Sequence, residues 1–255
     1  MRSKPMAREV TETSSEPTET PPAPPRLGAI PVDDPGSVVA GNERMTALAG
    51  TVLLILILAE LATVAGLRLL LAVHIFIGVV LAGPLAVKLA STGYRFVRYY
   101  RRSPAFVGKG PPRPALRVLA PVLVVTTLAV VGSGIGLLVT GPTRPGPFLF
   151  LHGISFVLWL PLVAIHAVAY LPKLPGLLGG DWRNEEADHV PRRRVPVGVN
   201  LAGLVLGGLA GLFALASAGP WNAWIKTNWD VPGPFVAGTV LAALTVVAAR
   251  PQRWT

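Results

Sequence analysis

Three of the four histidines in the chain, His74, His152 and His166, lie inside long apolar stretches. An imidazole in hydrocarbon is costly, so it serves there as a metal ligand, a proton relay or a hydrogen-bonding group between helices. His74 stands about five residues into the second apolar stretch and His152 about four into the fourth. Alternate helices of a bundle run the same way, so both imidazoles fall at one level, about 6–8 Å below the outer hydrocarbon surface. A haem iron with two axial imidazoles needs that arrangement. His166 follows His152 by fourteen positions. Fourteen residues return to within about 40° of the starting face, about 21 Å along the axis. His152 and His166 thus form a ladder on one side of one helix, as two stacked haems require. The fourth histidine, His189, lies in a charged loop and takes no role.

The second and fourth stretches echo one another. One reads HIFIGVVLAGPLAVK from His74 to Lys88, the other HGISFVLWLPLVAIH from His152 to His166. Each has a histidine near its start, a proline past the middle (Pro84, Pro161) and a basic residue fourteen positions below the first. Lys88 stands where a symmetric two-haem site would carry a fourth histidine. It either snorkels to the cytoplasmic surface or pairs with a haem propionate, ahead of ligating an inner haem. Glu60, in the outer half of the first stretch, has three readings. It hydrogen-bonds a ligand imidazole, relays a proton at an outer quinone site, or bonds a neighbouring helix in its protonated form. Gly134, with Gly132, Ser133 and Gly136, sits at the level of His74 and His152. Small residues there admit either a porphyrin or a closely packed helix.

These residues resemble the membrane b-type cytochromes: cytochrome b561-like proteins and the haem subunits of bacterial hydrogenases and formate dehydrogenases. The resemblance covers about residues 46–170. It rests on the histidine ladder, the level-matched histidine, STGYRFVRYY at 91–100 and GPP at 110–112. It implies that His74 and His152 ligate an outer haem b and that His166 belongs to a second, inner one. The departure is that no histidine pairs with His166.

The elements that must position these groups are membrane helices. The chain has 255 residues, 51% hydrophobic and 14% charged, with a mean hydropathy of +0.55. A soluble domain carries about a quarter charged residues. Apolar blocks at about 46–66, 69–91, 117–139, 148–170, 196–217 and 232–249 match the roughly 20 residues of a spanning helix, the last being short. With no cysteine, thiolate nucleophiles, disulfides and iron–sulfur clusters are excluded. No nucleotide-binding, zinc-protease or hydrolase motif is present, and no catalytic residue is assigned.

Positive charge orients the chain. With the N-terminus inside, only Arg68, Arg144 and Lys226 lie outside and Lys88 lies in a span. The rest of the 23 Lys and Arg residues are cytoplasmic. The net charge of +10 therefore reports orientation rather than nucleic-acid binding. Trp221, Trp224 and Trp229 are expected in an outer loop.

The expected fold is an all-α integral membrane bundle of six transmembrane helices with a four-helix haem-binding unit. The segments are a disordered cytoplasmic tail (1–45), the cytochrome-like domain (46–175), a basic cytoplasmic loop (176–195) and two further helices (196–255). The expected location is the bacterial inner membrane, with both termini cytoplasmic. The expected function is electron transfer between a quinol and a protein redox partner, as an oxidoreductase membrane subunit. The rivals are a haem-free transporter-like protein and a structural membrane anchor of a redox complex.

Overall fold

The computed structural model describes residues 35–108, 114–173, 191–228 and 233–249. These belong to one compact unit, Asp34–Thr255. Residues 1–34, most of the expected 176–195 loop with His189, and Trp229 lie outside the described residues. Among the described residues every regular element is a helix. Apolar sequence explains this, because a backbone in lipid must satisfy its own hydrogen bonds.

α1 (Pro35–Ala65) and α2 (Leu67–Val80) form a hairpin around Gly66. α3 (Ala82–Tyr100) continues α2 past Leu81, and α4 (Pro104–Gly108) follows. α5 (Pro114–Thr140) and α6 (Phe148–Tyr170) form a second hairpin. Gly141 closes α5 with φ +70, its N–H donating to Leu137 O at 2.9 Å; a left-handed residue here suits glycine. α7 (Pro191–Ala214), α8 (Ala218–Asn228) and α9 (Gly233–Ala249) are the remaining α-helices among the described residues. Among the described residues, five segments are long and apolar enough to cross a membrane: Val38–Ala65, Leu67–Tyr100, Arg117–Thr140, Phe148–Tyr170 and Val195–Asn228. The sixth apolar helix, Gly233–Ala248, is shorter. Leu69, Val139, Phe150 and Phe213 point outward and are each more than three-quarters exposed, which suits a lipid-facing surface.

Two boundaries differ from the sequence expectation. α1 begins at Pro35 rather than near residue 46, since proline is well suited to a first helical turn. Trp221 and Trp224 lie on α8 instead of in a loop. Trp221 and Ile225, one turn apart, bury against Leu71 of α2.

The helices pack as two groups. α2 and α3 pack on α1 and α7, while α6 packs on α5 and α9. Proline directs both. Pro84 cannot donate to the Val80 carbonyl, and Gly207 of α7 comes against that oxygen; a Cβ there would lie 2.5 Å from it. A Cβ on Gly83 would collide with the Gly203 carbonyl. In the second group, Pro161 leaves the Val157 carbonyl without its helical donor. Gly238 of α9 approaches there, with a Cβ 3.5 Å from Val157 Cα. The glycine pattern of α7 is thus a close helix contact. Gly207→Ala is expected to destabilise the detergent-solubilised protein by about 1–3 kcal/mol. Gly208→Ala, at a position facing open space, serves as control. Equal melting temperatures for the two variants would refute the contact.

Between the groups lies a cavity of about 1490 Å³ with mainly apolar walls. The groups meet around it where Leu137 packs on the cluster of Leu71, Trp221 and Ile225, and where Ile57 and Leu61 pack on that of Trp159, Leu160 and Ala242. The chain beyond the four-helix region also takes part, since Trp221, Trp224, Pro234 and Phe235 line the cavity.

Candidate functional site

Each group contributes one histidine to one end of the cavity. His74 comes from α2 and His152 from the first turns of α6. Their ring centroids are 6.3 Å apart and their planes cross at 80°. The expectation that they share one level is met by this contact.

Each imidazole is anchored by the preceding helix of its own hairpin. His74 Nδ1 lies 3.0 Å from Glu60 Oε1 and 3.3 Å from Thr63 Oγ1, both on α1. Thr63 Oγ1 donates to the Glu60 backbone carbonyl at 2.6 Å and lies 3.4 Å from the carboxylate's Oε2. His152 Nδ1 lies 3.0 Å from Val130 O and 3.2 Å from Ser133 Oγ, both on α5. Ser133 Oγ donates to Ala129 O at 2.5 Å. A backbone carbonyl only accepts, so Nδ1 of His152 carries a proton; an ionised Glu60 imposes the same on His74. In the neutral ring Nε2 then holds a free lone pair. Neither Nε2 has a hydrogen-bond partner among the described residues, and both rings line the cavity. Donation of one ring nitrogen to a carboxylate or carbonyl is how metal-ligating histidines are usually oriented.

Glu60 therefore reaches a histidine on the neighbouring helix, as two of its three readings required. Gly134 lies against His152, where a Cβ would be 3.2 Å from Cε1. Its missing side chain makes room for the ring. Gly78 is opposite Glu60, where a Cβ would be 3.0 Å from Oε1.

Lys88 and His166 lie away from this pair, on the walls of the same cavity. Lys88 Nζ donates to Thr46 O at 3.2 Å. His166 stacks obliquely on Tyr170, centroids 4.7 Å apart. Trp159, seven positions from both His152 and His166, lines the wall between and donates from Nε1 to Thr127 Oγ1 at 2.9 Å.

Three participants escaped the sequence reading. Thr63 had a signal, since it shares a helical face with Glu60 three positions earlier. The Val130 carbonyl had none, because any backbone can supply one. Trp221 looked like a membrane-belt residue; it is buried, lines the cavity, and its Nε1 has no acceptor among the described residues.

No group of three or more His, Cys, Asp or Glu residues among those described could hold a bare metal ion. Compared with known protein families, curated proteins and solved structures, the chain matches none of them.

Proposed function

We propose that this chain is a multi-pass membrane electron-transfer protein that holds haem b between His74 and His152. The observation that carries the reading is the paired imidazoles. Two imidazoles on one metal, each nitrogen about 2 Å from it, have ring centres about 6 Å apart. The observed separation is 6.3 Å. Two histidines are too few for a bare ion, which takes about four ligands. They suit a group that brings its own in-plane ligands, as a porphyrin does.

When bound, haem supplies one-electron redox chemistry. The chain's own residues bind and orient. Glu60 and the Val130 carbonyl hold the two Nδ1 protons and aim each Nε2 lone pair into the cavity. The carboxylate of Glu60 adds a negative charge on one side only. Leu71, Ile75 and Val131, on the cavity wall, exclude water. Trp221 offers an unused N–H donor at the same end, suited to a propionate.

In this reading the His74–His152 end faces outward, both termini are cytoplasmic, and the membrane is the bacterial inner membrane. Quinol and a protein redox partner exchange the electrons. A second haem near His166 is the further expectation from the resemblance. The transporter rival draws on the same cavity, which runs from Glu60 to Lys88; it and the anchor rival require no haem. A dithionite-reduced minus air-oxidised spectrum with pyridine haemochrome quantification separates them. We expect a sharp b-type α band at one haem per chain, and two haems if His166 ligates. No haem, after expression with haem supplied, overturns the reading.

A further inference from the structure

The Lys88 end of the cavity carries chemistry that the histidine pair does not use. Lys88 follows His74 by fourteen positions, about 21 Å of helix. A group held between the two imidazoles therefore leaves this end open. The cavity, at about 1490 Å³, also exceeds the roughly 300–1,000 Å³ of a pocket for one small ligand.

Lys88 is a basic residue within a candidate span, and such a residue normally pairs with an acid. Here its hydrogen bond goes to the Thr46 carbonyl, and it makes no ion pair among the described residues. Gly50 leaves the space for the ammonium, since a Cβ there would be 2.8 Å from Nζ. Arg95, two turns on, already meets Glu43 at 3.4 Å. His166, fourteen positions below His152 on α6, lines the same cavity from the other helix group. An imidazole keeps at least one N–H donor whether neutral or charged. From this end apolar wall runs towards Trp159, through Leu53, Leu85 and Val163.

We propose that Lys88 and His166 form a binding site for the anionic head of an amphiphile, a carboxylate or a phosphate, whose apolar body lies along the cavity towards Trp159. A long-chain fatty acid and an acidic phospholipid share this chemistry. The site does not rest on a haem between His74 and His152, whereas a second haem at His166 would take its place.

The test uses the full chain purified in a neutral detergent, titrated with spin-labelled stearate and, separately, with short-chain phosphatidylglycerol. At least one anion is expected to bind saturably at one per chain. Stearate alone identifies a free carboxylate as the ligand, and phosphatidylglycerol alone identifies a phosphate. Lys88→Gln is expected to weaken binding about tenfold or more, as loss of a charge-assisted hydrogen bond does. His166→Gln is expected to weaken it by less. Lys88→Arg retains it. Methyl stearate and phosphatidylcholine, which lack the net negative charge, are expected to bind wild type more weakly than their charged counterparts. Equal affinity of wild type and Lys88→Gln for both anions overturns the proposal. Loss of one haem per chain in Lys88→Gln also overturns it, because the lysine then serves a haem. Should Lys88→Gln fail to fold, the wild type decides: methyl stearate and phosphatidylcholine binding as tightly as the anions refutes the site. A chain that binds the anion but no haem leaves this site standing and removes only the electron-transfer reading.

Discussion

His74→Ala and His152→Ala are each expected to reduce haem content from one per chain to none, with loss of the reduced-minus-oxidised α band. The two rings approach from opposite helix groups, 6.3 Å apart at their centroids, so neither hairpin supplies both ligands. Removing one imidazole leaves a single nitrogen donor in an apolar cavity. Its anchors are then also misused, since Glu60 and Thr63, or Val130 O and Ser133, lose their partner. Exogenous imidazole, which fits the space vacated by the ring, is expected to restore part of the band. His166→Ala tests the second site separately and keeps the outer haem. Unchanged haem content in both His74→Ala and His152→Ala would end the proposal, because it rests on the ring pair that these two histidines form.

The second large effect is expected from Glu60→Gln. Glutamine has the same length, and its amide oxygen can still accept from His74 Nδ1, so the ring keeps its orientation. What the variant removes is the negative charge of an ionised carboxylate, whose Oε1 lies 3.0 Å from His74 Nδ1. That charge favours the oxidised, more positive form of a haem held by this ring. The midpoint potential is therefore expected to rise. Changes to such supporting groups typically cost 10–100-fold in metal affinity. If that falls on the oxidised form, the rise is about 60–120 mV, at about 59 mV per tenfold for one electron. Ser133→Ala, which removes a neutral partner of His152 while the Val130 carbonyl remains, is expected to shift the potential far less. Redox titration of the two variants against wild type measures both. A potential unchanged in Glu60→Gln would make Glu60 a helix-packing residue.

The two experiments probe different links. The histidine variants ask whether the cavity holds haem at all. The glutamate variant asks whether the asymmetry between the anchors, a carboxylate on one side and a carbonyl on the other, tunes it. The Glu60 result has meaning only where the α band is present.

Composition and spacing alone were enough to read a bundle of apolar helices. Hydrocarbon leaves the backbone little choice, so long apolar blocks become helices wherever they occur. The common level of His74 and His152 was legible for the same reason: helices have a constant rise, and alternate ones share a direction. So was the separation of His166 and Lys88 from that pair. The echo between the second and fourth stretches was legible as a pattern, though its consequence was not. Only the tertiary structure showed two hairpins, each using its first helix to hold the histidine of its second, with Gly207 and Gly238 set against the turns that Pro84 and Pro161 disturb. The Val130 carbonyl, the room Gly134 makes for His152, and the burial of Trp221 also came from packing. Helix periodicity sets which face and which depth a residue occupies. It does not set which helix lies opposite, and that depends on small residues and freed carbonyls fitting together across chain segments far apart in sequence.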